Sequence, residues 1–373
     1  MLSTSDAALI LNAISHWGPI RVSRVCETFS CNFAQLFELS DRQLRSVRDI
    51  GSSSINSLRN WDKNFALGRE KQILEKSGTH FLTLEDPKYP ERLKNMPDAP
   101  IGLYWRGPRD AQAAEVAIVG SRRTTPYGRH IAEEWALSLS EKGISVVSGL
   151  ARGIDAQAHR GAIKGQGSTI AVLGSALDRI YPPEHINLFR EIENSGAVVS
   201  EMPFGRPASK TSFPMRNRIV SGMVKLILVV ETDEKGGSMI TAKFAAEQGK
   251  TVAAVPGRTD SPQSSGCHQL IRDGAVLVTS VDEVLEELSW ENTYDSSQLK
   301  FSLEPKPEPS KPNLLPTESR ILERLEGGET ISADQLVDSL MLPYPEIAST
   351  LMMLELKQII SKRSDGSYER KHP

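Results

Sequence analysis

The chain has 373 residues, about two to three times a usual single-domain length, so two or three domains are expected. Hydrophobic residues at 39%, charged residues at 24% and a mean hydropathy of −0.31 describe an ordinary globular composition with enough apolar mass for a sizeable core. Lysine and arginine total 44 against 47 aspartate and glutamate, net −3, which excludes a protein that coats nucleic acid with its whole surface; any such site must be a local basic patch.

Three cysteines, Cys26, Cys31 and Cys267, are too few for a disulfide scaffold or a four-ligand zinc site, and they suit a reducing compartment. Met1 to Asp6 shows no basic and apolar leader pattern, and the longest strongly apolar runs, such as Leu226 to Val230, are strand-sized. A cytoplasmic location without membrane attachment is expected.

Four segments follow in chain order: a small helical domain over 1–78, an α/β domain over 79–290, a Pro-rich linker over 291–315 and a last domain over 316–373. Their net charges are +2, −1, −1 and −3, so none is basic as a whole. In the first segment Leu36, Leu39, Leu44 and Val47 recur at helical spacing, and Asp49-Ile50-Gly51 marks a turn before Ile55, Leu58 and Trp61. This pattern is similar to a SAM or helix-hairpin-helix unit, whose turn amides can hold a phosphate. Ser52 and Ser53 stand where that motif carries its second glycine, which favours a packing module.

Apolar strands are expected at Val116–Val119, Ile144–Val147, Thr169–Leu173, Ala197–Ser200, Lys225–Val230, Thr251–Val255 and Ala275–Val278, preceded by strand-like Thr79–Leu84. Helices fall between them, most clearly over Tyr127–Lys142 and Ile240–Gln248. Fully apolar strands separated by amphipathic helices imply a parallel sheet covered on both faces. The prolines of 304–312 mark the linker. Beyond it, three short helices and a hairpin around Asp365-Gly366 resemble a winged helix. The acidic balance of that segment argues against a DNA groove and for a protein-contact or regulatory role.

The unusual residues of the α/β domain stand immediately after its strands: Gly120-Ser121-Arg122-Arg123, Ser148-Gly149-Leu150-Ala151-Arg152-Gly153-Ile154-Asp155, Gly174-Ser175, Ser200-Glu201, Glu231 to Ser238 and Pro256-Gly257-Arg258. Open parallel sheets bind ligands at the carboxyl ends of their strands. Glycine-rich turns and free helix amides converging there specify an anion site. From Met202 to Val230 there is no acidic residue, but there are Arg206, Lys210, Arg216, Arg218 and Lys225. From Val116 to Ala132 the same holds, with Arg122, Arg123 and Arg129. Phe213 among these cations suits a single strand, whose bases stack on an aromatic ring while lysine and arginine meet phosphates.

Neither a dinucleotide fingerprint nor a P-loop occurs, so no cofactor is expected. Asp155 and His159, one helical turn apart, are read as a helix cap and an ordinary helical residue rather than as metal ligands or an acid–base pair. No nucleophile elbow and no third metal ligand accompany them, so neither catalytic nor metal residues are assigned.

These motifs resemble the DNA-processing protein A family, also called DprA or Smf. The resemblance is carried by Val119-Gly120-Ser121-Arg122, Ser148 to Ala156, Leu177 to Pro182, Ser200-Glu201, Phe213 to Gly222, Gly237 to Ala242, Val255-Pro256-Gly257 and Leu270 to Ala275, in unbroken order over about 79–288. It implies an extended Rossmann-like core with small helical and winged-helix-like flanks. It implies a dimer that binds single-stranded DNA, protects incoming strands and helps load the RecA recombinase during natural transformation, without being an enzyme. The implied DNA-binding set is Gly120, Ser121, Arg122, Lys210, Phe213, Arg216, Asn217, Arg218, Gly237, Ser238 and Thr241. Gly174-Ser175-Ala176, Gly236 and His268 depart from the usual pattern beside that pocket. The alternative is a Rossmann-like nucleotide phosphoribohydrolase. Lys235 to Thr241 matches that motif only loosely, and its general acid/base glutamate is missing, the next being Glu247.

Overall fold

The apolar strands assemble a nine-stranded sheet in the order β1-β2-β6-β5-β4-β3-β7-β8-β9. They are β1 His80–Thr83, β2 Gly102–Arg106, β3 Ala114–Val119, β4 Ser145–Ser148, β5 Thr169–Leu173, β6 Ala197–Ser200, β7 Leu226–Val229, β8 Thr251–Ala254 and β9 Val276–Leu277. In this computed structural model, residues 2–108, 114–288, 316–325, 330–357, 359–363 and 366–370 are described. The expected Pro-rich linker, 291–315, lies outside them. The chain divides into two compact units, Met1–Tyr294 and Asp295–Pro373.

From β6 across to β9 the strands run parallel, and every expected strand forms with its ends shifted by a residue or two. Successive side chains of one strand point to opposite faces, so both faces of these strands are apolar and both are covered. On one face Ala117, Val119, Val147, Val172 and Val229 pack against the helices Ser212–Gly222 and Gly237–Glu247 through Ile219, Val220, Ala242 and Ala245. On the other face Val116, Ile118, Val146 and Leu228 pack against Pro126–Glu141 and Ile154–Lys164 through Ala132, Trp135, Leu139, Ala158 and Ala162.

One strand was not expected. β2 pairs antiparallel with both β1 and β6, so the parallel sheet acquires an antiparallel edge. The helices that precede β1 join this edge: Ile10, Leu11, Trp17, Leu36, Leu44, Ile55 and Leu58 share one hydrophobic cluster with Ile101. The expected turn at 49–51 joins the helices Asp41–Arg45 and Ser52–Arg59, with Asp49 at φ 66° and its carboxylate 2.7 Å from Arg24. At the opposite edge, β9 is only two residues long.

In the second unit the helices Pro316–Arg324, Ala333–Leu340 and Tyr344–Leu356 enclose Ile321, Leu336, Leu340, Ile347, Leu351 and Leu354. The antiparallel hairpin of Ile360–Lys362 and Tyr368–Arg370 follows, and Ile360 joins that core. This is a winged helix. Among the described residues no helix is long and apolar enough to cross a membrane.

Candidate nucleic-acid interface

The turn after β3 is fixed by one carboxylate. Glu231, at the end of β7, is 4% exposed and accepts from the Thr124 hydroxyl at 2.6 Å and from the Thr125 amide at 2.9 Å and hydroxyl at 2.5 Å. Its backbone carbonyl takes the Ser121 amide at 2.6 Å, and the Thr125 hydroxyl in turn caps the helix Pro126–Glu141 through Gly128 N–H. Loops from adjacent strands are thereby tied together, with Arg122 and Arg123 projecting between them. The β4 loop closes against the same turn: Ile154 N–H donates to the Ser121 carbonyl at 3.2 Å. Gly153 stands there at φ 80°, where a Cβ would lie 2.2 Å from that carbonyl oxygen.

Across the turn, the helix Ser212–Gly222 presents Phe213, Arg216, Asn217 and Val220, at positions i, i+3, i+4 and i+7, to an open cleft of about 640 Å³. The Arg122 guanidinium lies 5.1 Å from the centre of the Phe213 ring, and Tyr181 packs on the same ring at 5.5 Å. Arg152 extends the row, 6.0 Å from Tyr181 and paired with Glu184. Arg122 and Lys210 are exposed, and neither has a carboxylate partner among the described residues. Arg122, Arg123, Lys210 and Arg216 line the cleft against only Asp155 and Asp233. A cationic groove with an aromatic platform accepts phosphates and a stacked planar ring.

Arg216 forms the floor. It is 6% exposed, and its guanidinium donates to the carbonyls of Gly149 and Val172 and to the Asn217 side chain. Burial lowers its pKa to about 10, with Asp155 opposing that shift, so the charge persists at neutral pH. Asp155 departs from the role expected of it: the cap position is Gly153, and the Asp155 carboxylate instead accepts from Gly149 N–H at 3.2 Å and Ala151 N–H at 3.3 Å. Burial pushes its pKa upward against the pull of Arg216. His159 is likewise more than an ordinary helical residue. Fully buried, it accepts from Leu150 N–H at 3.3 Å and bonds the Thr169 hydroxyl at 2.8 Å, and burial lowers its pKa to about 3. Asp155 and His159 brace the β4 loop, and among the described residues no group of three or more potential metal ligands occurs.

Gly120, Ser121, Arg122, Lys210, Phe213, Arg216, Asn217, Gly237, Ser238 and Thr241 all line this cleft. The Ser238 hydroxyl donates its proton to Thr232 at 2.7 Å. Arg218 does not join them. Two residues beyond Arg216, it lies about 200° round the helix and is buried on the far side. There it bonds Glu201 at 2.6 Å and the Asp98 carbonyl at 2.6 Å. Its charge is spent on an internal ion pair. Tyr181, Arg152, Gly149 and Ala151, which were not assigned to the site, line the cleft or the smaller recess behind Phe213. Their sequence signal was their place in the turns after β4 and β5.

The model of the DNA recombination-mediator protein A family matches residues 80–289. The chain belongs to this family. A second model, the DprA winged helix domain, matches residues 305–366, so both units carry DprA signatures. Protein Smf of Synechocystis sp. is 30% identical over 95% of this chain and 96% of its own length. Among solved structures, DNA processing protein A (DprA) from Streptococcus pneumoniae superposes with a TM-score of 0.67 at 30% identity, covering 77% of this chain and 98% of its own. DNA processing protein A from Helicobacter pylori, described for its single-stranded DNA binding mode, gives a TM-score of 0.52 at 30% identity over 58% of this chain and 98% of its own. The DprA fold thus spans the strands and loops that build the cleft.

Proposed function

We propose that this DprA-family chain is a non-enzymatic, cytoplasmic recombination mediator that grips single-stranded DNA in the strand-end cleft. The observation that carries this reading is the Arg122–Phe213–Tyr181 stack beside unpaired Lys210. Phosphates meet Arg122, Arg123 and Lys210, a base stacks on the aromatic row, and buried Arg216 supplies positive potential from below. The single-stranded DNA binding of the Helicobacter relative supports the ligand. The family's description, a DNA recombination-mediator protein, supports the mediator role. Protection of incoming strands, loading of RecA and action as a homodimer in natural transformation complete the proposal. The hydrolase alternative gains nothing from the site. Glu247 closes its helix at the end remote from the cleft, and the Glu231 and Asp155 carboxylates are occupied by loop donors.

Fluorescence anisotropy of labelled oligo-dT across a salt series tests the proposal. Wild-type affinity should fall with salt at a slope of about −0.7 per phosphate neutralised. Arg122→Ala and Lys210→Ala should each flatten the slope by about one contact, and Phe213→Ala should cost about 1–3 kcal/mol with the slope unchanged. If the three variants bind as wild type does, the cleft is not the DNA site.

A further inference from the structure

The winged-helix unit carries an apolar face that its own core does not use. The helix Tyr344–Leu356 buries Ile347, Leu351 and Leu354 against its neighbours. Elsewhere on its circumference Tyr344, Met352, Met353 and Leu356 are 54%, 64%, 49% and 68% exposed. Met352 and Leu356 stand one turn apart at the centre of this arc. Just ahead of the helix Met341 is 91% exposed and held at φ 51°, a conformation that bulky side chains rarely adopt.

The stretch of sequence that carries this face has charges of one sign. From Leu325 to Leu356 the sequence contains six acidic residues and no lysine or arginine. Asp334, Asp338 and Glu355 are exposed and have no cationic partner among the described residues. Three of the unit's cations are engaged, Lys357 on Glu318 at 2.7 Å, Arg363 on Glu369 at 3.1 Å and Arg320 on the Leu340 carbonyl at 3.1 Å, while Arg324, exposed at the end of its helix, lies just outside the acidic run. Such a surface repels phosphates and satisfies neither charge nor apolar area by itself. Thioethers adapt to varied apolar partners, and an amphipathic helix laid on such a face buries its apolar side while its rim cations meet the carboxylates.

We propose that the face formed by Met341, Tyr344, Met352, Met353 and Leu356 docks a basic amphipathic segment of a partner protein. The winged helix is then a protein-docking module, and its third helix reads an apolar surface ringed by cations.

The test uses the full chain and a labelled 18-residue peptide of leucine and lysine patterned as an amphipathic helix. Two further peptides accompany it, one of the same composition with the pattern permuted and one with glutamate for lysine. Wild-type protein should bind the amphipathic basic peptide at least 10-fold more tightly than either control. The double variant Met352→Glu/Leu356→Glu should weaken that binding at least 10-fold. Both positions are exposed, and an unchanged melting curve shows the fold is kept. Added glutamates would strengthen a merely electrostatic attraction, so equal or tighter binding by the variant overturns the proposal. So does failure of the peptide to bind wild type, or equal binding of the permuted peptide. Sedimentation velocity and duplex DNA titration complete the test. A variant that loses self-association assigns the face to a second copy, and one that loses duplex binding assigns it to nucleic acid, either of which overturns the proposal.

Discussion

Adding a single methyl group at Gly149 probes how the cleft floor is built. A Cβ there would stand 2.2 Å from Nη1 of Arg216, 2.4 Å from Cζ and 2.5 Å from Nη2. The backbone of Gly149 is not left-handed, so the methyl itself is the perturbation. In Gly149→Ala the guanidinium must leave, and its hydrogen bonds to the Gly149 and Val172 carbonyls break. Bonds to a charged group contribute about 1.5–3 kcal/mol each. The lower end applies, because the displaced side chain swings into the open cleft and is hydrated there. A loss of about 3 kcal/mol in unfolding free energy follows from two such bonds. Urea titration followed by tryptophan fluorescence measures it in the relevant unit alone, since Trp17, Trp61, Trp105, Trp135 and Trp290 all precede Tyr294. Gly237→Ala is the control: it lines the same cleft with nothing within 4 Å of its Cβ, and should move stability by less than about 1 kcal/mol. A Gly149→Ala variant within about 1 kcal/mol of wild type would refute the locked guanidinium.

Three further outcomes are expected. Arg218→Ala leaves Glu201 buried without its partner and should destabilise by about 3–5 kcal/mol in urea titration, while the folded variant keeps its oligo-dT affinity. Weakened DNA binding without lost stability would return Arg218 to the interface. Glu231→Gln presents an amide nitrogen where the Thr124 and Thr125 donors converge, so the Arg122 turn loosens and anisotropy should show several-fold weaker oligo-dT binding. In an Arg122→Ala background the same change should add nothing, and an additive loss would disconnect the two residues. For pH, His159 titrates near 3 in the folded chain and near 6.5 unfolded, so below pH 6.5 the unfolded chain takes up a proton that the native state refuses. Its stabilising effect is complete above that pH and declines by up to about 1.4 kcal/mol per unit as pH falls toward 3. Asp155 and Glu201, raised by burial, act in the opposite sense. Between pH 6.5 and 5, therefore, unfolding free energies of His159→Gln should depend less steeply on pH than those of wild type, and parallel curves would contradict the assignment.

Much of the α/β architecture was legible because buried parallel strands leave an unbroken apolar run, and glycine-rich turns after each run mark the ligand edge. β2 escaped for a physical reason. Gly102-Leu103-Tyr104-Trp105-Arg106 follows Pro100, contains a glycine and shows no alternation because both its faces are buried, Leu103 and Trp105 in one hydrophobic cluster and Tyr104 in another. Within the site, the identity of the cations was legible but their use was not. Arg216 and Arg218 look equivalent in a charge count, yet helical geometry turns one into the cleft and the other away. Burial then converts Arg216 from a reaching group into a fixed charge beneath the cleft. Glu231 was invisible as a positioning residue because its partners, Thr124 and Thr125, lie more than a hundred residues upstream.

The antiparallel edge of the sheet also sets an order of events during synthesis. The first residues through Arg106 can form the β1–β2 hairpin and pack the helices around Trp17, Leu44 and Ile101 as soon as they leave the ribosome. The other side of β2 pairs Tyr104 with Ser200, and that partner emerges about 90 residues later. At about 5–20 residues per second, a bare strand edge waits roughly 5–20 s. Newly made chains are therefore most open to mispairing in that interval, and conditions that slow translation between Gly107 and Gly196 should lower the yield of folded protein more than slowing it elsewhere.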